Sequence, residues 1–337
     1  MKKLFYLFAF TALITVLMVS CKEQDNATGI ELDKDTLKLA MGGTTTLTAN
    51  LLPYTVTGKV NWTTNNSSLV TLESDNAVAV MSKCVVTAKA AGTATITAAT
   101  SSGKYSATCT IEIINAEPEL IAVEGGTFTM GCTDNEGFGI EFPEHSVTLS
   151  SFKIAKFPVT QDQWEVVMGN SPSYFKGDRL PVECVSWNAA QTFINKLNAL
   201  TGKNYRFPTE AEWEYAARGG NKSKGSKYSG GNDINAVAWY LDNNTGTQPV
   251  GTKASNELGI YDMSGNVWEW CSDWYDIYTN DHQIDPKGPK DPPETGAYHI
   301  LRGGSWANDP IYCRVSSRAG LPPGEYSYVT GLRLVLP

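Results

Sequence analysis

The chain has 337 residues, of which 42% are apolar and 18% charged, a composition typical of globular proteins. Its net charge is −8, and proteins that bind many phosphates rely on lysine and arginine, so the charge excludes nucleic acid as an expected partner. The length exceeds what one hydrophobic core usually covers, so we expect at least two domains.

The N-terminus has the order of a secretory signal. Lys2 and Lys3 precede an almost wholly apolar stretch over residues 4–19, which is shorter than the about 20 residues of a bilayer span. Small residues then lead through Ser20 into Cys21, and this junction resembles a lipobox. The pattern predicts a signal peptide over residues 1–20 and a lipid on Cys21. The alternative is an ordinary signal peptide with Cys21 as a free thiol.

A polar stretch follows the predicted anchor, and we expect residues 21–29 to be a tether. It resembles the charged stretch after the lipidated cysteine in surface-exported lipoproteins of Bacteroidetes. This resemblance implies an outer-membrane lipoprotein, displayed at the cell surface or otherwise facing the periplasm, with the membrane as a partner through Cys21. The cell envelope is oxidising and preserves disulfides, although the pairing of the other cysteines stays open. Those cysteines are Cys84, Cys109, Cys132, Cys184, Cys271 and Cys313.

Residues 30–115 are rich in Thr, Val and Ala with period-two alternation, which predicts a small antiparallel β-sandwich. The alternation points Cys84 and Cys109 inward, so they form either a disulfide or two core thiols. The stretch from VVTAKAAGTATITA to ATCTIEI resembles a bacterial immunoglobulin-like domain of group 2. The stretch contains no cluster of His, Asp or Glu, which favours a spacer.

The composition changes near residues 115–118. From 118 to 337 tryptophan, tyrosine and glycine are frequent and the alternation fades, which predicts an irregular α+β domain. Capping residues predict helices that begin after Thr160, after Ser186 and after Thr209.

Four blocks in fixed order resemble the formylglycine-generating enzyme family, also called sulfatase-modifying factors. They are GGTFTMG at 125–131, PVECVSW followed by RFPTEAEWEYAARGG over 181–220, YDMSGNVWEW at 261–270, and LRGGSW to GLRLV over 301–335. The resemblance implies a C-type-lectin-like fold. The expected architecture is therefore multidomain, with an immunoglobulin-like β-sandwich followed by an irregular α+β C-type-lectin-like domain.

The YDMSGNVWEW block predicts a calcium site. Its carboxylates flank a Gly-Asn turn, and calcium prefers six to eight oxygen ligands. The resemblance implies that the side chains of Asp262 and Glu269 and the carbonyls of Gly265 and Val267 hold the ion. Asp242 is a candidate for a second calcium. The alternative is that the two carboxylates bond only to loop amides.

In the family, two cysteines just after a GGS motif bind Cu(I), which uses oxygen to oxidise a substrate cysteine to formylglycine. Here the motif ends at Ser305, and the two cysteine positions correspond to Asn308 and Cys313. One thiolate beside an amide is a poor ligand set for Cu(I), so we do not expect copper, and catalytic roles for Cys313 and Ser305 are in doubt. The alternative for Cys313 is a disulfide or a buried apolar role. The histidines are scattered without metal-ligand spacing, so they do not replace the pair.

The segment over residues 306–329 corresponds to the family's substrate groove, and its polar and aromatic side chains suit recognition. The alternative is a solvated loop. The candidate ligand-binding residues are Trp306, Asn308, Asp309, Tyr312, Arg314, Arg318 and Tyr326.

Three functions remain open at this point. We favour a non-catalytic head that recognises a glycan, peptide or protein, a group that includes the variable proteins diversified by retroelements. The second is an active formylglycine-generating oxidase, or a related enzyme, that matures sulfatases. The third is a structural component of an envelope assembly.

Overall fold

The computed structural model describes residues 26–133, 136–294 and 296–337. The predicted signal peptide and Cys21 lie outside these residues. Ala27 is buried and the Thr28 amide donates to the Leu52 carbonyl, so the end of the predicted tether packs onto the first domain. Within the described ranges, no helix has both the length and the apolarity needed to cross a membrane.

The first domain is a β-sandwich, as predicted. Its strands are β1 (Gly29–Leu32), β2 (Thr36–Ala40), β3 (Thr44–Leu52), β4 (Gly58–Thr64), β5 (Val70–Ser74), β6 (Val78–Ala79), β7 (Met81–Ala88), β8 (Gly92–Thr100) and β9 (Ser106–Ile114). One sheet has the order β1-β3-β7-β5, and the other has the order β2-β9-β8-β4-β6. All neighbours are antiparallel except β2 and β9, which are parallel.

The core of the sandwich follows from the alternation in its strands. In the β8–β9 hairpin Ile96 pairs with Cys109, and both side chains are fully buried. Cys84 enters the same core from β7 in the facing sheet. Cys84 and Cys109 are free thiols, which decides between the two alternatives left by the sequence.

The second domain has short strands, short helices and long connections. Its helices are α1 (Gln161–Met168), α2 (Trp187–Thr201), α3 (Glu210–Ala217) and α4 (Ile234–Val237). Its strands are β10 (Leu120–Val123), β11 (Gly126–Met130), β12 (His145–Leu149), β13 (Phe152–Ala155), β14 (Trp268–Trp274), β15 (Gln283–Ile284), β16 (His299–Arg302), β17 (Arg318–Leu321), β18 (Thr330–Leu332) and β19 (Val335–Leu336). They form sheets of order β10-β13-β19, β11-β12-β15 and β17-β16-β14-β18.

The predicted helix starts coincide with the observed ones. Thr160 is the N-cap of α1 with a capping box, and the Ser186 hydroxyl accepts from the Ala189 amide at the start of α2. At the start of α3, Thr209 accepts from the Glu212 amide. Gly202 adopts the left-handed conformation that ends α2.

Helix α3 is buried at every position, which periodicity alone did not predict. Its acidic side chains need cationic partners because a buried carboxylate without one is strongly destabilising. Glu210 pairs with Arg318, and Glu214 pairs with Arg302. These arginines belong to β17 and β16, so ion pairs join the helix to the largest sheet of the second domain.

The two domains are in contact. Ala40 and Ala116 belong to the apolar cluster that includes helix α2 of the second domain. Lys38 on β2 reaches across to Asp178 at 2.8 Å and to Glu165 on α1 at 3.2 Å. Apolar and ionic contacts therefore both join the sandwich to the second domain.

Candidate functional site

Asn308 and Cys313, which correspond to the family's copper cysteines, both follow Ser305 in the chain and both form a hydrogen bond with it. Asn308 Oδ1 accepts hydrogen bonds from the Ser305 hydroxyl at 2.5 Å and from Trp268 Nε1 at 2.9 Å. Cys313 ends a 3₁₀ turn, Pro310–Cys313, and its side chain is fully buried. The amide of Asn308 is therefore held by neutral donors in the position where the family has a thiolate.

Cys313 is enclosed by apolar groups. It packs against Tyr228, Val237, Ala238 and Tyr240. Burial raises the pKa of the Cys313 thiol to about 12, although a hydrogen bond from the Ser305 backbone opposes the shift. The group is therefore a thiol at neutral pH and not a thiolate, and only thiolates are good nucleophiles and metal ligands.

Gly304 is required for this close packing. Its φ is +72°, and a side chain there would place a Cβ 2.8 Å from the Cys313 sulfur. The glycine of the GGS motif thus allows the chain to pass directly over the buried thiol.

An aromatic groove of about 700 Å³ opens beside Asn308. It is lined by Phe138, Ile140, Trp268, Tyr275, Tyr298, Asn308, Tyr312, Arg318, Ala319 and Gly320. Phe138 and Tyr312 stack with their ring centroids 5.3 Å apart. The groove has the character of ligand sites, which are mostly apolar with a few placed polar groups.

Three of the predicted ligand-binding residues line this groove, namely Asn308, Tyr312 and Arg318. Arg318 is largely buried, because its guanidinium forms two bonds to Glu210 at 2.8 and 2.7 Å and lies 3.9 Å from the Tyr278 ring centroid. It contributes to the wall of the groove as a paired group and not as a free charge.

Arg314 is buried away from the groove. It donates to both carboxylate oxygens of Glu141, at 2.9 and 2.6 Å. Arg314 is therefore part of the buried framework of the domain and not of the groove lining, which corrects the sequence-based expectation of direct ligand contact.

The remaining predicted residues lie on the surface. Asp309 and Tyr326 are exposed, whereas Trp306 is half-buried and donates from Nε1 to the Tyr328 carbonyl at 3.2 Å. Sequence reasoning missed Phe138, Tyr275 and Tyr298, which come from distant parts of the chain and carry no motif for binding. Trp268 also lines the groove and supports Asn308 through its indole nitrogen.

The predicted calcium loop brings Asp262 and Glu269 close to one another. Asp262 is buried and accepts from the Gly251 amide at 2.7 Å. Burial raises the pKa of Asp262 to about 6, with a smaller contribution from the charge of Glu269, while the Gly251 amide and Arg333 oppose it. Such a carboxylate suits a hard cation, which would offset its desolvation.

Glu269 fits the calcium site less well. Arg333 donates to both of its oxygens, at 2.9 and 2.8 Å, and Trp213 Nε1 donates to Oε2 at 2.6 Å. No group of three or more His, Cys, Asp or Glu suited to a metal occurs in the described part of the chain. A calcium ion here would depend on Asp262 and backbone carbonyls and would share Glu269 with Arg333. Asp242, the candidate for a second calcium, is exposed in a turn.

The fold and the site define a class of protein: a bacterial immunoglobulin-like sandwich followed by a C-type-lectin-like domain with an aromatic groove. The family of sulfatase-modifying factor enzyme 1-like domains matches residues 110–337, and the chain belongs to it. The bacterial Ig-like domain family, group 2, matches residues 26–111.

Relatives of the second domain carry several different names. Chaperone protein LppX of Paenibacillus barcinonensis is 34% identical over 268 residues, covering 64% of this chain and 89% of its own. The formylglycine-generating enzyme of Thermomonospora curvata is 29% identical over 290 residues, covering 64% of this chain and 92% of its own. A serine/threonine-protein kinase Pkn1 of Chlamydia trachomatis is 34% identical, but the match covers only 38% of the kinase.

Solved structures agree with this assignment. Treponema denticola variable protein 1 has a TM-score of 0.59 and 33% identity, covering 64% of this chain and 94% of its own. PvdO from Pseudomonas aeruginosa has a TM-score of 0.56 and 29% identity, covering 66% of this chain and 95% of its own. The similarity to both spans most of each of those chains and about two thirds of this one.

Proposed function

We propose that this protein is a non-catalytic recognition protein whose second domain binds a glycan, peptide or protein ligand in the aromatic groove. The observation that carries the proposal is the pair at the two positions of the family's copper cysteines: Asn308 offers an amide, and Cys313 offers a buried thiol of raised pKa. Neither supplies the thiolate that Cu(I) prefers. The varied names of the relatives also agree with a fold that serves more than one role.

The test of the non-catalytic role is a direct assay for oxidation. The chain is incubated with Cu(I), oxygen and a cysteine-containing peptide, and aldehyde formation is followed by mass spectrometry. We expect no aldehyde. Aldehyde that disappears in the Cys313→Ala variant would overturn the proposal and favour a formylglycine-generating enzyme.

The test of the groove is binding to glycan and peptide arrays. Tyr312 is partly exposed at the groove, and Tyr54 is an exposed tyrosine of the first domain that serves as the matched control. We expect at least one array signal of the wild-type chain to be lost with Tyr312→Ala and kept with Tyr54→Ala. Equal signals in both variants would argue against the groove.

The proposal includes an anchor and a calcium ion. The lipobox-like junction at Cys21 supports a lipid anchor that displays the head outside the cell, and Cys21→Ala should then move the protein from the membrane fraction to the soluble fraction.

The buried carboxylate of Asp262 supports calcium in the loop. Calcium at 100 times its Kd should add about 2.7 kcal/mol to the free energy of unfolding, and Asp262→Asn should remove this gain. A gain of equal size in the variant would exclude Asp262 as a ligand.

A further inference from the structure

A second aromatic surface lies outside the lining of the groove. It consists of Tyr174, Phe175, Trp306 and Tyr328, which we call the aromatic patch. Tyr174 is 73% exposed and Tyr328 is 51% exposed. Exposed apolar surface that is contiguous marks a binding site more often than scattered residues do.

The rings of the patch are held in fixed orientations. Phe175 meets the edges of both Tyr174 and Trp306, with interplanar angles of 87° and 89° and centroid distances of 5.1 and 5.3 Å. Trp306 lies 5.8 Å from Tyr328, and its Nε1 is bonded to the Tyr328 carbonyl. The patch therefore needs little ordering when a ligand binds, and such preorganisation favours affinity.

Glu183 and Cys184 fix the two loops that carry the rings. Glu183 is fully buried, and its Oε1 accepts from the Phe175 amide at 2.9 Å. Cys184 has a φ of +59°, and its amide donates to the Ser327 carbonyl at 3.0 Å. This left-handed step is unusual for cysteine, and it joins the loop before α2 to the loop before β18.

The chemistry of the patch favours a neutral ligand rich in hydroxyl groups. Among the described residues, none of its rings takes part in a cation–π contact or an ion pair, and the Tyr174 and Tyr328 hydroxyls are not bonded to the protein. Tyrosine and tryptophan combine an apolar face with a polar edge. The apolar face of a sugar ring can stack on such a ring while its hydroxyls bond to the phenol edge.

We infer that the aromatic patch is a binding site for neutral carbohydrate, separate from the groove. An anionic polymer is disfavoured because no cation–π contact or ion pair reaches the four rings in the described part of the chain, and the chain carries a net charge of −8. Carbohydrate binding at the patch does not require a ligand in the groove. The inference about the patch and the proposed function of the groove can therefore be tested, and can fail, separately.

The experiment is affinity electrophoresis of the whole chain in gels that contain neutral polysaccharides: mannan, laminarin, xylan or dextran. Alginate serves as the anionic comparison. We expect at least one neutral polysaccharide to retard the wild-type chain, with a retardation that is unchanged between low and high salt because no charges are involved. Failure of all four neutral polymers, or retardation by alginate alone, would overturn the inference.

Variants then locate the site. We expect about tenfold weaker binding for Tyr174→Ala and for Tyr328→Ala, and near wild-type binding for Tyr174→Phe, which keeps the ring. Tyr54→Ala is the matched control for an exposed tyrosine, and Tyr312→Ala reports on the groove. If Tyr312→Ala abolishes binding and Tyr174→Ala does not, the polysaccharide binds in the groove, and the inference of a second site at the patch is wrong.

Discussion

At the residue scale, Cys313 and Cys184 differ in access although both are free cysteines of the second domain. Cys313 is fully buried, and burial raises its pKa to about 12; Cys184 is half-buried, and desolvation with the neighbouring Glu183 raises its pKa to about 11. Thiolate content is low at both positions, so access decides their relative reactivity.

We predict that a maleimide labels Cys184 slowly in the native chain and does not label Cys313 until denaturant unfolds the domain. Peptide mapping by mass spectrometry measures both sites in one sample, so Cys184 is the internal control. Labelling of Cys313 as fast as Cys184 in the native chain would show that the packing around Cys313 opens, and the argument from its burial would fail.

Asp273 is a buried carboxylate that makes stability depend on pH. Burial raises its pKa to about 7, and repulsion from Glu210 acts in the same direction. The folded state thus holds the proton more tightly than the unfolded chain, whose pKa is near 3.8. The stability from this group is full below pH 3.8 and is lost as the pH rises through about 7.

We predict that Asp273→Asn gains stability relative to the wild type as the pH rises from 4 to 7.5. Asparagine keeps an oxygen that can accept from the Glu210 amide, as Asp273 does at 3.0 Å, and it cannot ionise. Denaturant unfolding at several pH values measures the difference. A constant difference across this range would mean that Asp273 does not titrate there.

At the scale of elements, buried ion pairs connect segments that are far apart in the sequence. Arg314 follows the 3₁₀ turn at the groove, and its partner Glu141 ends another 3₁₀ turn, Gly139–Glu141. Arg318 on β17 likewise pairs with Glu210 on α3. These pairs position the walls of the groove, because Ile140 and Tyr312 flank the first pair in the chain.

We predict that Arg314→Met lowers the free energy of unfolding by about 3–5 kcal/mol, since it leaves Glu141 buried without a cation. The double variant with Glu141→Gln should lose less than the sum of the single changes. Denaturant titration of the wild type, the two single variants and the double variant measures the four unfolding free energies of this double-mutant cycle. Additive losses would mean that the two side chains do not interact.

At the scale of the whole molecule, the two domains share an apolar cluster and an ionic contact. Ala40 and Ala116 supply the apolar part, and Lys38 contributes the charge. The linker is also tied down, because the Tyr205 hydroxyl donates to Glu117 at 2.7 Å. The described sandwich is therefore joined to the second domain by apolar, ionic and linker contacts.

We predict one calorimetric unfolding transition for the intact chain. Ala116→Asp should separate it into two, because it buries an unpaired charge at the junction. Lys38→Ala should change the Tm little, since exposed ion pairs contribute at most about 1 kcal/mol. Two transitions in the wild-type chain would show that the domains unfold independently.

Local signals in the sequence were sufficient to predict much of the secondary structure of this protein and its family. Alternation predicted the β8–β9 hairpin, Thr160, Ser186 and Thr209 predicted where helices begin, and motif spacing identified the family and the change at Asn308. Each of these depends on neighbours in the chain or on a short fixed pattern, which one sequence contains in full.

The tertiary structure decided the rest, because it depends on which distant side chains meet. The sequence made Arg314 a candidate for ligand contact, but in the structure Arg314 forms an ion pair with Glu141. The sequence likewise made Glu269 a calcium ligand, but Arg333 binds both of its carboxylate oxygens. The groove needs Phe138 beside Tyr312, and the aromatic patch needs Tyr174 beside Tyr328. Charge pairing and ring packing between remote segments leave no local periodicity, so only the folded chain reveals them.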